Sequence, residues 1–393
     1  MLILFIIFTF SSIANSILNN DRYTFYHNNK ELNTKLTYQD KINSINANKD
    51  LNWKAGVNIK FESATLADLK NHLGNKYLSK EDLKKNDIEI INNKTFYHKQ
   101  INLLNKIKGL DSLNIELPKS YNASETYPNC KSISHIQDQS YCGSCWANAA
   151  SGVMSDRLCI HSENKESKIL LSTNNILSCC NMCGNGCEGG FTPKAFRYWG
   201  YKGVVTGGDY MSLDNCQPYP FEPCNHHVSG SYKECKDLGI LVTPICNNYC
   251  QNSYQIHNYN DDKLYGSAYS VIGDEELIKT DIYLNGPVSA GYIVYDDFVL
   301  YKSGVYSRSP GSNPVGGHAV RIIGWGEEEI NDKTVPYWLV ANSWNKEWGL
   351  NGFFKILRGS NECNIEDDIN AGIPSKSNKT YNNKFNKFIE YIE

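Results

Sequence analysis

Fourteen cysteines, all lying between Cys130 and Cys363, constrain this chain of 393 residues more than any other feature. A reducing cytosol does not hold so many thiols unless they bind metal, so the pattern points to an oxidising compartment. The first 129 residues carry none. The N-terminus is apolar from Leu2 to Phe10 apart from Thr9, and small residues follow. That pattern is expected of a secretory signal over residues 1–16, with cleavage near Ala14 or Ser16, although its flank lacks positive charge. The apolar run is shorter than the ~20 residues needed to span a bilayer. Signal and cysteines agree on the secretory pathway, with a lysosome-like acidic compartment or the extracellular space as the destination, and no membrane association after signal cleavage. Lys plus Arg is 39 against 42 Asp plus Glu, a net charge of −3, which excludes a strongly basic nucleic-acid binder.

The chain divides at the first cysteine. Residues 17–116 are rich in Asn, Lys and Ile, with helical patches such as Leu66, Leu69, Leu73 and Leu78, and read as a separable pro-segment. Residues 375–393, after Pro374, read as a flexible Asn/Lys-rich extension. Glycosylation sequons stand at Asn93, Asn122 and Asn378.

The chemistry concentrates around Cys145. The spacing Cys142-Gly-Ser-Cys145, echoed by Cys180-Asn-Met-Cys183, fits a redox pair, half a zinc site or a structural disulfide. What changes the reading is the ordered set Gln139, Cys145, Gly317-His318-Ala319 and Asn342-Ser343-Trp344. A thiol becomes a nucleophile by losing a proton, which a nearby imidazolium or a helix N-terminus promotes. After Cys145, the residues Trp146, Ala150, Val153, Met154 and Leu158 recur at helical spacing, so Cys145 is expected to open a helix. His318 would pair with the thiolate and then protonate the leaving amine. Asn342 would accept from the far side of that imidazole, and Trp344 would screen the contact from water.

Residues 139–147 carry the C-G-[SA]-C-[WY] pattern, the recognised signature of papain and cathepsin nucleophiles. With Cys179-Cys180, Gly186-Cys187-Glu188-Gly189-Gly190, Cys224-Asn225-His226-His227 and Ala371-Gly372-Ile373-Pro374, residues 117–374 resemble the papain-like cysteine proteases, and most closely their cathepsin B branch. Asn52-Trp53-Lys54-Ala55-Gly56 resembles that branch's pro-region. The resemblance implies an α+β, papain-like two-lobe fold, with a helical lobe carrying Cys145 and a barrel-like β lobe carrying His318 and Asn342. Strand-like stretches at Ala319–Ile323 and Tyr337–Val340 belong to the second lobe. It also implies Gln139 as an oxyanion donor and six disulfides: Cys130–Cys159, Cys142–Cys187, Cys179–Cys246, Cys180–Cys183, Cys216–Cys250 and Cys224–Cys235. Cys145 and Cys363 would stay unpaired. No cofactor or metal is implied. The implied partners are peptide and protein substrates, the chain's own pro-segment as inhibitor, and cystatin-like inhibitors. His318 follows Cys145 by 173 residues, longer than is usual for the family, and the stretch 207–265 accounts for the excess.

The resemblance further implies specificity. An occluding loop at about 224–235, with His226 and His227, would close one end of the cleft and bind a substrate's C-terminal carboxylate, so that dipeptides are released alongside internal cleavage. Asp138 matches the acid that pairs with the first loop histidine. Tyr232 replaces the family's loop arginine, although Glu347 stands near the position of that arginine's partner, and loss of the ion pair should loosen the loop and favour internal cleavage. Gly189 and Gly190 would pair with substrate backbone. Asp368 would line a subsite for the second residue before the scissile bond and tolerate Arg or Lys there beside large apolar side chains. Asn148 stands where the family usually has Phe, and Leu73 where its pro-region commonly has Cys. Three functions stay open at this point: an active protease, a catalytically inert homologue that binds partners, and a thiol–disulfide oxidoreductase using Cys142 and Cys145.

Overall fold

The computed structural model describes residues 38–62, 64–108, 115–162, 168–225, 232–239 and 241–375. The expected signal, His226, His227, Asn378 and the extension beyond residue 375 lie outside the described residues.

Helix formation follows local chemistry. In the pro-segment, α1 (Tyr38–Ala47) is followed by α2 (Leu66–Asn71), α3 (Lys80–Lys85) and α4 (His98–Lys108). Thr65 and Asp68 form a reciprocal capping box that starts α2. In the cysteine-bearing region, α5 (Cys145–His161) carries Trp146, Ala150, Val153 and Met154 into a helical-lobe core, with α6 (Thr173–Cys179) and α7 (Thr192–Lys202) packed on it. Pro193 sits in the first turn of α7, where a missing N–H costs nothing. Asp274 caps α8 (Glu275–Asn285) by accepting from Leu277 N at 2.8 Å.

The second lobe is built on a sheet of ten strands among the described residues: β1 (Trp53–Ala55), β2 (Glu89–Ile91), β3 (Tyr121–Asn122), β4 (Tyr269–Val271), β5 (Val288–Tyr295), β6 (Tyr301–Tyr306), β7 (Pro314–Ile330), β8 (Lys333–Ala341), β9 (Phe353–Leu357) and β10 (Asp368–Ala371). Their order is β1-β6-β9-β8-β7-β5-β10-β4-β2, with β3 alongside β7. β7 and β8 form a long hairpin closed by Asn331-Asp332, whose φ values of 51° and 59° suit a two-residue turn matched to strand twist. The two stretches read as strands from sequence lie inside longer ones: Ala319–Ile323 is the middle of β7, and Tyr337–Val340 falls in the second half of β8.

The pro-segment is not an appendage. It supplies both outer strands of the sheet: β1 pairs antiparallel with β6, and β2 pairs parallel with β4. Trp53 and Phe61 are 2% exposed and join the sheet-lobe core.

Candidate active site

The two lobes meet where the N-terminus of α5 faces β7. Cys145 is the first residue of α5, fully buried and not in a disulfide. Ala319, next to His318 on β7, packs against Cys145. Two crosslinks shape the approach. Cys142 is bonded to Cys187, tying the loop before α5 to the turn that leads into Gly189-Gly190, and Cys180 is bonded to Cys183. The remaining disulfides are Cys130–Cys159, Cys179–Cys246, Cys216–Cys250 and Cys224–Cys235; Cys363 is free and buried. With Cys142 held in that bond, the redox pairing of Cys142 with Cys145 is not the arrangement found.

His318 is completely buried on β7. Its Nε2 donates to Asn342 Oδ1 at 2.8 Å. The same Oδ1 accepts from Ser343 N at 2.8 Å, so that atom is the oxygen and Nε2 must hold the proton. Nδ1 is therefore the basic nitrogen. Trp344 lies over the imidazole, ring centroids 4.7 Å apart and planes at 32°, and covers the Asn342 contact.

Gln139 is oriented as strictly. Its Oε1 accepts from Ser343 Oγ at 2.7 Å, which turns Nε2 toward two carbonyls, Cys142 O at 2.8 Å and His72 O at 2.9 Å. The latter belongs to the pro-segment. Residues 72–76 thread between the lobes: Gly190 N donates to Gly74 O at 2.8 Å, Lys76 N to Gly190 O at 2.8 Å, and Asn75 N to Gly317 O at 3.1 Å. Asn75 and Gly190 thus pair in parallel. Gly74 has to be glycine, because a Cβ there would sit 1.9 Å from Gly143 O. Asn75 also reaches Asp368, its Nδ2 donating to Oδ2 at 3.0 Å.

Burial under this strap sets the charge state. The Cys145 thiol is pushed up to about 11 by desolvation, which outweighs the backbone hydrogen bonds from Ala319, Gly74, Trp146 and Asn75. Desolvation pulls His318 down to about 4, against the opposing Asn342 contact and His72 backbone. With the cleft occupied, both the thiol and the imidazole are neutral, and His318 Nδ1 has no hydrogen-bond partner among the described residues.

Several functional-looking contacts carry no sequence signal. Lys60, fully buried in the pro-segment, bonds Asp138 Oδ1 at 3.0 Å and also donates to Cys224 O. Asp138, expected to meet the first loop histidine, therefore has a pro-segment lysine as its described cation. Glu347 accepts from Asn225 Nδ2 at 2.6 Å. Tyr232 is held in its neutral form first by burial and then by the acids Asp138, Glu347 and Asp209. Beneath Cys145, Asn148 Nδ2 donates to Ser144 O at 3.1 Å and Ser144 Oγ at 3.0 Å. Ser144 Oγ meets Tyr219 Oη at 2.7 Å, and Tyr219 donates to Gln139 O at 2.8 Å. Asn148 was legible only as an unusual residue; Ser144 and Tyr219 were not legible at all.

The family profile described as papain family cysteine protease matches residues 117–373. The chain is 43% identical over 337 residues to a cathepsin B-like cysteine proteinase of Schistosoma japonicum, covering 85% of this chain and 90% of that protein. It is 39% identical over 358 residues to cathepsin B-like cysteine proteinase 6 of Caenorhabditis elegans, covering 90% and 88%. Among solved structures it is similar to procathepsin B S9 from Trypanosoma congolense, with TM-score 0.68, 34% identity, and coverage of 87% of this chain and 99% of that one. The chain belongs to the papain family of cysteine proteases. Within that family it is a cathepsin B-like peptide hydrolase with the α+β two-lobe fold, made with its own pro-segment as inhibitor.

Proposed function

We propose that Cys145 is the nucleophile, His318 its acid–base partner, Asn342 the residue that holds the imidazole, and Gln139 an oxyanion donor. Once the pro-segment leaves, water reaches the cleft and the penalty on charge falls, so the thiol proton moves to His318 Nδ1. The thiolate attacks the peptide carbonyl, and the oxygen gains charge between Gln139 Nε2 and the Cys145 backbone N–H. The C–N bond breaks as His318 gives its proton to the departing amine. Water, giving a proton back to His318, then releases the acid and frees the thiolate. The observation that carries this reading is the hydrogen bond from Gln139 Nε2 to the carbonyl oxygen of His72, a peptide carbonyl already seated at the donor. The inert reading is not favoured: the thiol is free and all four side chains are present.

The reading extends to processing and specificity. Residues 1–16 act as signal and 17–116 as pro-segment, 117–374 form the mature peptidase, and 375–393 an extension. Gly189, Gly190, Trp344 and Asp368 line the substrate cleft. His226 and His227 bind a C-terminal carboxylate, giving dipeptide release as well as internal cleavage. Tyr232, unable to supply a cation to Glu347, favours internal cleavage. The kinship supports a reading of secretory or lysosomal residence and of inhibition by cystatin-like proteins.

The test is a peptide-library digest by the matured enzyme at pH 5 and pH 7. We expect cleavage that Cys145→Ala abolishes, with dipeptides among the products. Undiminished cleavage by that variant overturns the assignment.

A further inference from the structure

The strap across the cleft seats the Asn75 side chain between two polar partners. Gly190 brackets Asn75 through its bonds to Gly74 O and Lys76 N, so Asn75 projects where a substrate residue paired with Gly190 would project. Asn75 is 6% exposed. Its Nδ2 donates to Asp368 Oδ2 at 3.0 Å, and its Oδ1 accepts from Thr192 Oγ1 at 2.9 Å. The other oxygen of Asp368 accepts from Asn370 Nδ2 at 2.7 Å. The pocket therefore offers one free acceptor and one free donor, the complement of a primary amide. Gly291 makes the space. A Cβ there would stand 2.1 Å from Asp368 Oδ2 and 2.4 Å from Asn75 Nδ2.

We infer that the pocket formed by Asp368, Thr192 and Gly291 selects a carboxamide side chain, asparagine or glutamine, at the substrate residue two before the scissile bond. This rests on the cleft assignment proposed above. An aliphatic side chain leaves a half-buried carboxylate oxygen and a buried hydroxyl without partners, and sites built to hydrogen-bond reject such analogues strongly. Arginine or lysine satisfies Asp368 only while that carboxyl is ionised, and leaves the Thr192 proton without an acceptor. Burial raises the Asp368 pKa, so acid weakens a basic side chain's hold before it weakens an amide's, which can pair with either form.

The experiment uses enzyme matured from the full chain and three fluorogenic peptides that differ only in Asn, Arg or Leu at that position. The expected kcat/KM is about ten-fold higher for Asn than for Leu, with the Arg-to-Asn ratio falling as pH falls. Thr192→Val should cut the Asn-to-Leu ratio about five-fold, and Asp368→Leu should invert it. Independently, a synthetic peptide of residues 71–78 should inhibit the unaltered enzyme about ten-fold better than its Asn75→Leu version. Cleavage of all three peptides with Leu equal to or above Asn, or equal inhibition by the two synthetic peptides, overturns the inference alone. No cleavage of any peptide, with Cys145 unreactive toward a thiol-directed epoxide, overturns the proposed function with it.

Discussion

The side chains around Cys145 are set by constraints that sequence shows unevenly. Cys145, His318, Asn342 and Gln139 could be named as candidates because the proposed chemistry needs those residue types in that order. Their charge state was not, because it depends on a strap from elsewhere in the chain. Neutral Cys145 in the zymogen should be alkylated slowly across pH 5–8, since its thiol titrates at about 11. The matured enzyme should be labelled fast in the same range, and iodoacetamide rates on the two forms check this. Beneath the nucleophile, Gln139 O can only accept, so the Tyr219 proton points to it, Ser144 Oγ must donate to Tyr219, and Asn148 must donate to Ser144. This one-way chain ties the start of α5 to the backbone of Gln139. Tyr219→Phe should lower kcat about ten-fold, a loss of ~1.4 kcal/mol, with KM nearly unchanged. A loss confined to KM would show that the chain does not position the oxyanion donors.

At the scale of elements, the pro-segment holds on through buried anchors as well as through the strap. Lys60→Met leaves Asp138 buried without its described cation, though Ser140 N and Asn345 Nδ2 still bond it. Breaking such a pair costs ~3–5 kcal/mol. Urea unfolding of the full chain should show that loss, while the matured enzyme, which lacks Lys60, melts as before. Helix α5 was legible from its apolar spacing, and parts of β7 and β8 as two apolar runs, but not their pairing with each other. The three-residue strands β1 and β2 were not legible. Each is too short for a periodic signal, and each is defined by a partner far along the chain, Trp53 against Gly304 and Ile91 against Val271. Lys60 in isolation reads as a surface residue, since only a carboxylate brought from Asp138 makes its burial tolerable.

For the whole molecule, these pieces make the zymogen sensitive to acid. Burial under the strap pulls His318 down to about 4, from the ordinary 6.5 that it has in the unfolded chain. A depressed folded value adds stability that is fully present above pH 6.5 and is lost as pH falls toward 4. The loss from this residue is of order 3 kcal/mol at pH 4. Thermal unfolding of the Cys145→Ala zymogen between pH 7 and pH 4 should show a fall in melting temperature, smaller in a His318→Gln variant of the same zymogen. An equal fall in both would assign the acid sensitivity elsewhere.

The flanking strands β1 and β2 have one more effect. Once the pro-segment is cut away, the backbone amides and carbonyls of β6 and β4 that β1 and β2 covered lose their partners. Maturation thus bares two rims able to recruit another extended chain. Light scattering of concentrated samples should then rise with time for the trimmed enzyme and stay flat for its precursor.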